Sequence, residues 1–217
     1  MNILPLSTVR KAVLIAGASL ALSATSAFAS TIFSVSEGPK PSNVGIITLS
    51  QVDSDTVRVS VDLISSTYGF LNTGGPHTPF AFNLAGSETA VSIDFLTPAA
   101  GTYANGTFSL NLAGGGATPF GNYGVAIDSS AGNGSGKAYY GDLIFDLTRT
   151  GGLLESDFIA NADGYYFAAD LTDGSNTASQ AWKVKTPGTS VPDGGSTLAL
   201  LGLGLAAFAL IRRKIAI

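Results

Sequence analysis

The run Thr56-Val57-Arg58-Val59-Ser60-Val61-Asp62-Leu63-Ile64 sets Val57, Val59, Val61 and Leu63 against Arg58, Ser60 and Asp62. Successive side chains of a strand point to opposite faces, so this alternation predicts a half-buried strand over 56–64. A second apolar run lies just upstream at 44–49, and the polar stretch Gln51-Val52-Asp53-Ser54-Asp55 separates the two. Together they predict a hairpin.

The same pattern recurs downstream. Phe80, Phe82 and Leu84 share one face of a strand over 79–84, and Val91, Ile93 and Phe95 share one face over 90–96. Further strands are predicted over 106–112, 124–127, 141–147 and 165–171. Breaks rich in glycine and asparagine divide them, at Asn72-Thr73-Gly74-Gly75-Pro76, Gly114-Gly115-Gly116 and Gly132-Asn133-Gly134-Ser135-Gly136. The expectation is an all-β fold, a single antiparallel β-sandwich-like domain of about eight to ten short strands over 30–185. Residues 153–162 (LLESDFIANA) are the one helical candidate, a turn or two long. No repeat of 20–50 residues emerges, which disfavours a solenoid or propeller.

Composition agrees with strands joined by turns. Charged residues are 12 % of the 217, about half the usual quarter, while hydrophobic residues are 45 % and there are 27 glycines. Cysteine is absent, which excludes disulfides, thiolate metal sites and cysteine nucleophiles. Five of the basic residues lie near the ends, so 30–190 keeps six basic and fourteen acidic residues, a net charge near −8. So acidic a surface repels phosphate backbones and argues against nucleic acid as a partner.

The ends carry handling signals. Arg10-Lys11, the uncharged run 12–22 and Ala27-Phe28-Ala29 form the three parts of a secretory signal, with cleavage by signal peptidase expected before Ser30. At the other end, Val191-Pro192-Asp193-Gly194-Gly195 precedes an uncharged apolar run over 196–211, closed by Arg212-Arg213-Lys214. Sixteen helical residues span about 24 Å, short of a hydrocarbon core near 30 Å, which local thinning and snorkelling of the cations can accommodate. The basic cluster is expected to stay cytoplasmic, acting as a membrane stop and leaving 30–190 outside. A permanent single-span anchor and a processed sorting tail share this orientation; the turn placed just before the span favours the second.

This tail resembles the PEP-CTERM sorting domain of Gram-negative bacteria, in a Val-Pro-Asp variant with Asp193 in place of Glu and Gly194 in place of the second Pro. The resemblance implies handling by an exosortase, a cysteine transpeptidase-like membrane protease. The segments 73–84, 121–128 and 164–171 are similar to parts of a subset of PEP-CTERM proteins, which supports a single delivered domain.

Within that domain no catalytic constellation stands out. His77 is the only histidine, and no Gly-x-Ser-x-Gly elbow accompanies it. It lies at a loop–strand junction, where local packing accounts for it; a ligand or metal is the alternative. Asp142 with Asp146, and Asp170 with Asp173, are carboxylate pairs that glycoside hydrolysis could use, but an acidic sheet face places such pairs side by side without catalysis. Residues 128–135 offer Asp128 and Asn133 as calcium ligands, without EF-hand spacing. An ordinary glycine loop explains them too, and no cofactor is required. Tyr139, Tyr140, Tyr165, Tyr166 and Trp182 could form a flat sugar-stacking platform, although only one of each adjacent tyrosine pair can enter the core.

The expectation is therefore a non-enzymatic exported protein of the cell surface or extracellular matrix, with a structural role. A carbohydrate-binding module, with exopolysaccharide as partner and Tyr140, Tyr166, Trp182 and His77 as contacts, is the second reading. A glycosidase is the third.

Overall fold

The computed structural model describes residues 30–75 and 77–183. The signal segment with Ala27 and Ala29, the sorting motif 191–195, the apolar run 196–211 and the stop at 212–214 lie outside the described residues. Among the described residues no helix is long and apolar enough to cross a membrane.

Strand segments follow one another along the chain: β1 (Thr31–Phe33), β2 (Ser36–Glu37), β3 (Gly45–Gln51), β4 (Thr56–Leu63), β5 (Gly69–Phe70), β6 (Phe80–Leu84), β7 (Val91–Thr97) and β8 (Thr102–Tyr103). After them come β9 (Gly106–Asn111), β10 (Gly115–Gly116), β11 (Asn122–Tyr123), β12 (Val125–Ser129), β13 (Leu143–Arg149), β14 (Phe158–Ile159), β15 (Phe167–Thr172) and β16 (Thr177–Trp182). One sheet has five strands in the order β1-β3-β4-β13-β7. The second large sheet has nine, along β2-β16-β15-β6-β12-β9-β8, with β14 against β6 and β5 against β15, and β10 and β11 form a separate two-stranded ribbon. Every pairing is antiparallel.

The predicted hairpin is present: β3 and β4 pair from Gly45↔Leu63 to Gln51↔Val57. All eight predicted strands correspond to β3, β4, β6, β7, β9, β12, β13 and β15. The ninth long strand, β16, went unread because its sequence Thr-Ala-Ser-Gln-Ala-Trp has no period of two. The helical candidate over 153–162 shrinks to a single 3₁₀ turn, Glu155–Asp157, followed at once by β14.

The two sheets face each other across a phenylalanine-rich core. Val57, Val59 and Val61 of β4, Leu143, Phe145 and Leu147 of β13, Phe80 and Phe82 of β6 and Phe167 of β15 are all fully buried. Rings from the two sheets meet directly: Phe145 lies 6.2 Å from both Phe80 and Phe82, centroid to centroid. Trp182 of β16 donates its indole N–H to the Gly45 carbonyl of β3 at 3.1 Å, so the sheets are joined by a buried hydrogen bond as well as by packing. No buried side-chain nitrogen or oxygen among the described residues lacks a partner, as a stable core requires.

The nine-stranded sheet is also covered on its other side. Ala126, Ala81, Ala168 and Ala181 stand opposite one another across β12, β6, β15 and β16 and form one continuous row. The segment that includes Ala117, Phe120 and Tyr123 packs on this row, making a second, smaller apolar cluster with Tyr165 alongside. Methyl groups let the covering backbone lie close to the sheet, as larger side chains would not.

Candidate functional site

Next to the alanine row, the outer face of the nine-stranded sheet turns polar. Asp170 of β15 stands opposite Ser179 of β16. Residues 71–75 and 77–78 lie against them, held by Leu71 N–H donating to the Asp170 carbonyl at 3.1 Å and Asp170 N–H donating to the Thr78 carbonyl at 3.2 Å. The imidazole Nδ1 of His77 lies 3.1 Å from Ser179 Oγ, and Thr73 Oγ1 donates to Asp170 Oδ2 at 2.5 Å. Asp170 is 1 % exposed. Burial pushes its carboxyl above the ordinary value, a rise that the Thr73 hydrogen bond and the neighbouring His77 oppose.

Beside this cluster, at His77 and Thr78, opens a cavity of about 510 Å³. One wall is Asn72, Gly74 and Gly75; the other is 113–116; Thr78, His77, Asn111, Asn122, Tyr123 and Asp128 complete the lining. Asp128 of β12 accepts from Asn111 Nδ2 at 2.7 Å, and Asn72 Oδ1 accepts from Gly74 N–H at 2.8 Å. The far wall is pinned by Thr78 N–H donating to the Gly116 carbonyl at 3.2 Å. Two positions of this wall require glycine. Gly114 has φ +82°, and a Cβ on it would strike the Tyr123 carbonyl; one on Gly115 would strike the Thr78 side chain.

His77, Asp170 and Ser179 are a histidine, a carboxylate and a serine within one cluster, yet they are not arranged for nucleophilic catalysis. Ser179 is 4 % exposed and sits on Nδ1, the nitrogen that a triad reserves for its carboxylate. The Asp170 carboxylate is engaged by Thr73 instead. What the cluster does is hold the His77 ring at the cavity edge.

The structure disperses the other candidates. Trp182 is fully buried in the core, with its N–H committed to Gly45, so it cannot contribute to a surface platform. Tyr166 packs inward, its ring 5.1 Å from Phe33. Tyr165 points to the outer face, 5.1 Å from Phe120, and donates to Glu37 Oε2 at 2.8 Å. That hydrogen bond to Glu37 raises its pKa. Tyr139 packs against Tyr103 and Phe108, while Tyr140 is 43 % exposed and donates to the Ser135 carbonyl at 3.3 Å. Adjacent tyrosines thus part to opposite faces, and the expected flat platform is not formed.

The carboxylate pairs also separate. Asp142 lies just before β13, where burial and the neighbouring Asp62 raise its pKa. Asp146 forms a two-pronged ion pair with Arg58, at 2.7 Å and 2.9 Å. Asp170 is buried, whereas Asp173 bonds Lys40 at 2.8 Å and is held well below the usual carboxylate range by it. Of the two calcium candidates, Asp128 lines the cavity; Asn133 lies beside Gly74 but does not line it. No group of three or more histidine, aspartate or glutamate side chains fit to hold a metal occurs among the described residues. Ser30 begins the described chain, its hydroxyl 3.1 Å from that of Ser50.

Sequence reasoning thus singled out His77 and Asp128 but not Asn72 or Asn111, which line the same cavity, and it singled out Asp170 only as a partner of Asp173. The available signal was the pair of glycine breaks at 72–76 and 114–116, read as separators and found as facing walls.

The VPDSG-CTERM motif matches residues 190–215. This chain has Gly194 where that signature has serine, and agrees with it at Val191, Pro192, Asp193 and Gly195. The chain therefore carries an exosortase-type sorting signal, of the Val-Pro-Asp-Ser-Gly kind rather than the PEP-CTERM domain proper. No curated protein and no solved structure matches the chain.

Proposed function

We propose that this protein is a structural component of the bacterial cell surface or extracellular matrix, exported through its N-terminal signal and processed at its C-terminal tail by an exosortase-like protease. The sorting motif at 190–215 carries the reading, because it implies export and association with the surface or membrane. The β-domain suits a structural role outside the cell: it needs no disulfide, having no cysteine, and draws its stability from a two-sheet core.

Intact-mass analysis of the protein from cells and from medium tests the handling. The expected species begins at Ser30 and ends near 191–195. Recovery only of chains that keep Arg212-Arg213-Lys214 would instead establish a permanent anchor. The structural role is tested by fractionation: the processed protein should stay with washed extracellular matrix, and its quantitative release into the wash would overturn that role. A sugar-stacking tyrosine face has lost its support, since Tyr140, Tyr166 and Trp182 share no surface.

A further inference from the structure

We propose that the cavity between 72–75 and 113–116 binds an uncharged saccharide, through Asp128, Asn72 and His77. This goes beyond the sorting and structural role above and does not depend on either.

The lining fits a polyhydroxylated ligand in its open polar atoms and in their buttressing. Its polar atoms are partly spent and partly open. Asn111 uses its amide N–H on Asp128 and its carbonyl on Ala113 N–H, which fixes Asp128 Oδ2. Among the described residues, no protein partner engages Asp128 Oδ1, the Asn72 amide N–H groups or His77 Nε2. These supply an acceptor, a donor and a group able to be either. A sugar hydroxyl donates and accepts at once, so it matches such a mixed set better than a purely donor or purely acceptor ligand does. Buttressing also favours recognition, since Asn111 holds Asp128 and Ser179 holds His77 before any ligand arrives.

Charge then selects within that class. No lysine or arginine lines the cavity, and Asp128 supplies its one carboxylate. A phosphate or uronate would meet that carboxylate with no lysine or arginine to offset it. Size agrees, because 510 Å³ falls inside the range of about 300–1,000 Å³ common for small-molecule sites. The glycine walls leave backbone groups of 74–75 and 114–116 facing the ligand, where side chains would otherwise fill the space. An apolar ligand finds little here, as Tyr123 is 4 % exposed.

The full chain, purified in a detergent without a sugar headgroup and labelled with ¹⁵N, is titrated with cellobiose, maltose and mannobiose. Parallel titrations use digalacturonic acid and calcium chloride. Amide shifts are expected with at least one neutral disaccharide, concentrated at 72–75, 111–116 and 128, and several-fold weaker binding for the uronide. Asp128→Asn should weaken the neutral sugar by about tenfold or more, as loss of a charge-assisted hydrogen bond implies. His77→Gln provides a second reading if Asp128→Asn does not fold. The proposal is overturned if none of the three neutral sugars shifts these amides, if the uronide binds as well, if calcium alone reproduces the shifts, or if binding survives the substitutions unchanged.

Discussion

The two sheets of this domain share one core but meet their surroundings differently. The five-stranded sheet has a wet outer face: Arg58, Asp62 and Asp94 are exposed there and Ser60 is half-buried. The outer face of the nine-stranded sheet is roofed by the segment around 113–123 and by 71–75 and 77–78. All six residues of β15 are consequently buried, including Asp170 and Thr172. One sheet spends its second face on solubility; the other spends it on a second, small cluster and a polar cavity. The cavity lies on the sheet whose outer face is covered, and the cover holds side chains such as Asp170 and His77 in fixed positions.

The inner faces should behave alike, and the largest effects belong there. Phe145 comes from the five-stranded sheet and Phe167 from the nine-stranded one, and both are fully buried against other rings. Truncating either to alanine is expected to cost about 3–5 kcal/mol, the ordinary range for deleting a buried phenylalanine. Urea unfolding of the two variants checks this. A cost below about 1 kcal/mol for one of them would show that the sheets do not share a core.

The outer faces should then diverge. Ala168 lies in the alanine row under the covering segment, so Ala168→Leu must displace backbone and is expected to destabilise by about 1–3 kcal/mol. Ser60→Leu, on the open face of β4, should change stability by no more than about 0.5 kcal/mol. Equal effects for the two would mean that the roof over the nine-stranded sheet yields freely.

This contrast also explains what could be read from the sequence. A strand with one wet face alternates, and Thr56-Val57-Arg58-Val59-Ser60-Val61-Asp62-Leu63 does so plainly; β3, β4, β7 and β13 were all legible. A strand buried on both faces alternates between two kinds of buried residue. In β15, Phe167, Ala169 and Leu171 face the main core while Ala168 and Asp170 face the roof, and in β16 the row ends in Ala181 and Ser179. Small and polar side chains on the roofed side weaken the period; β6, β12 and β15 are still legible from the large apolar residues of their inner face, whereas β16 has only Trp182 to mark it. The cavity was illegible for a related reason. Its walls come from 72–75 and 113–116, about forty residues apart, and only the register of β6 and β12 brings them together.

The smallest expected effect concerns pH, and it sets Asp170 under the roof against carboxylates in the open. Burial raises the folded-state pKa of Asp170 above 3.8, so the folded protein holds that proton more tightly than the unfolded chain. Stability contributed by the protonated form is complete below 3.8 and declines as pH rises through the folded value. Asp173 acts in the opposite sense: Lys40 lowers its pKa, and the stability it contributes is present above 3.8 and lost as pH falls further. In a difference curve between the wild-type protein and Asp170→Asn, the Asp173 contribution cancels. Asparagine is neutral throughout and keeps an oxygen for Thr73 to donate to. The variant should therefore gain relative to wild type as pH rises from below 3.8 towards neutral, with the curves converging at the acid end apart from a constant offset. Urea midpoints measured across that window decide the matter. Parallel curves would mean that Asp170 ionises in the folded protein as freely as a carboxylate on the open face of the five-stranded sheet, and that the roof does not exclude water from it.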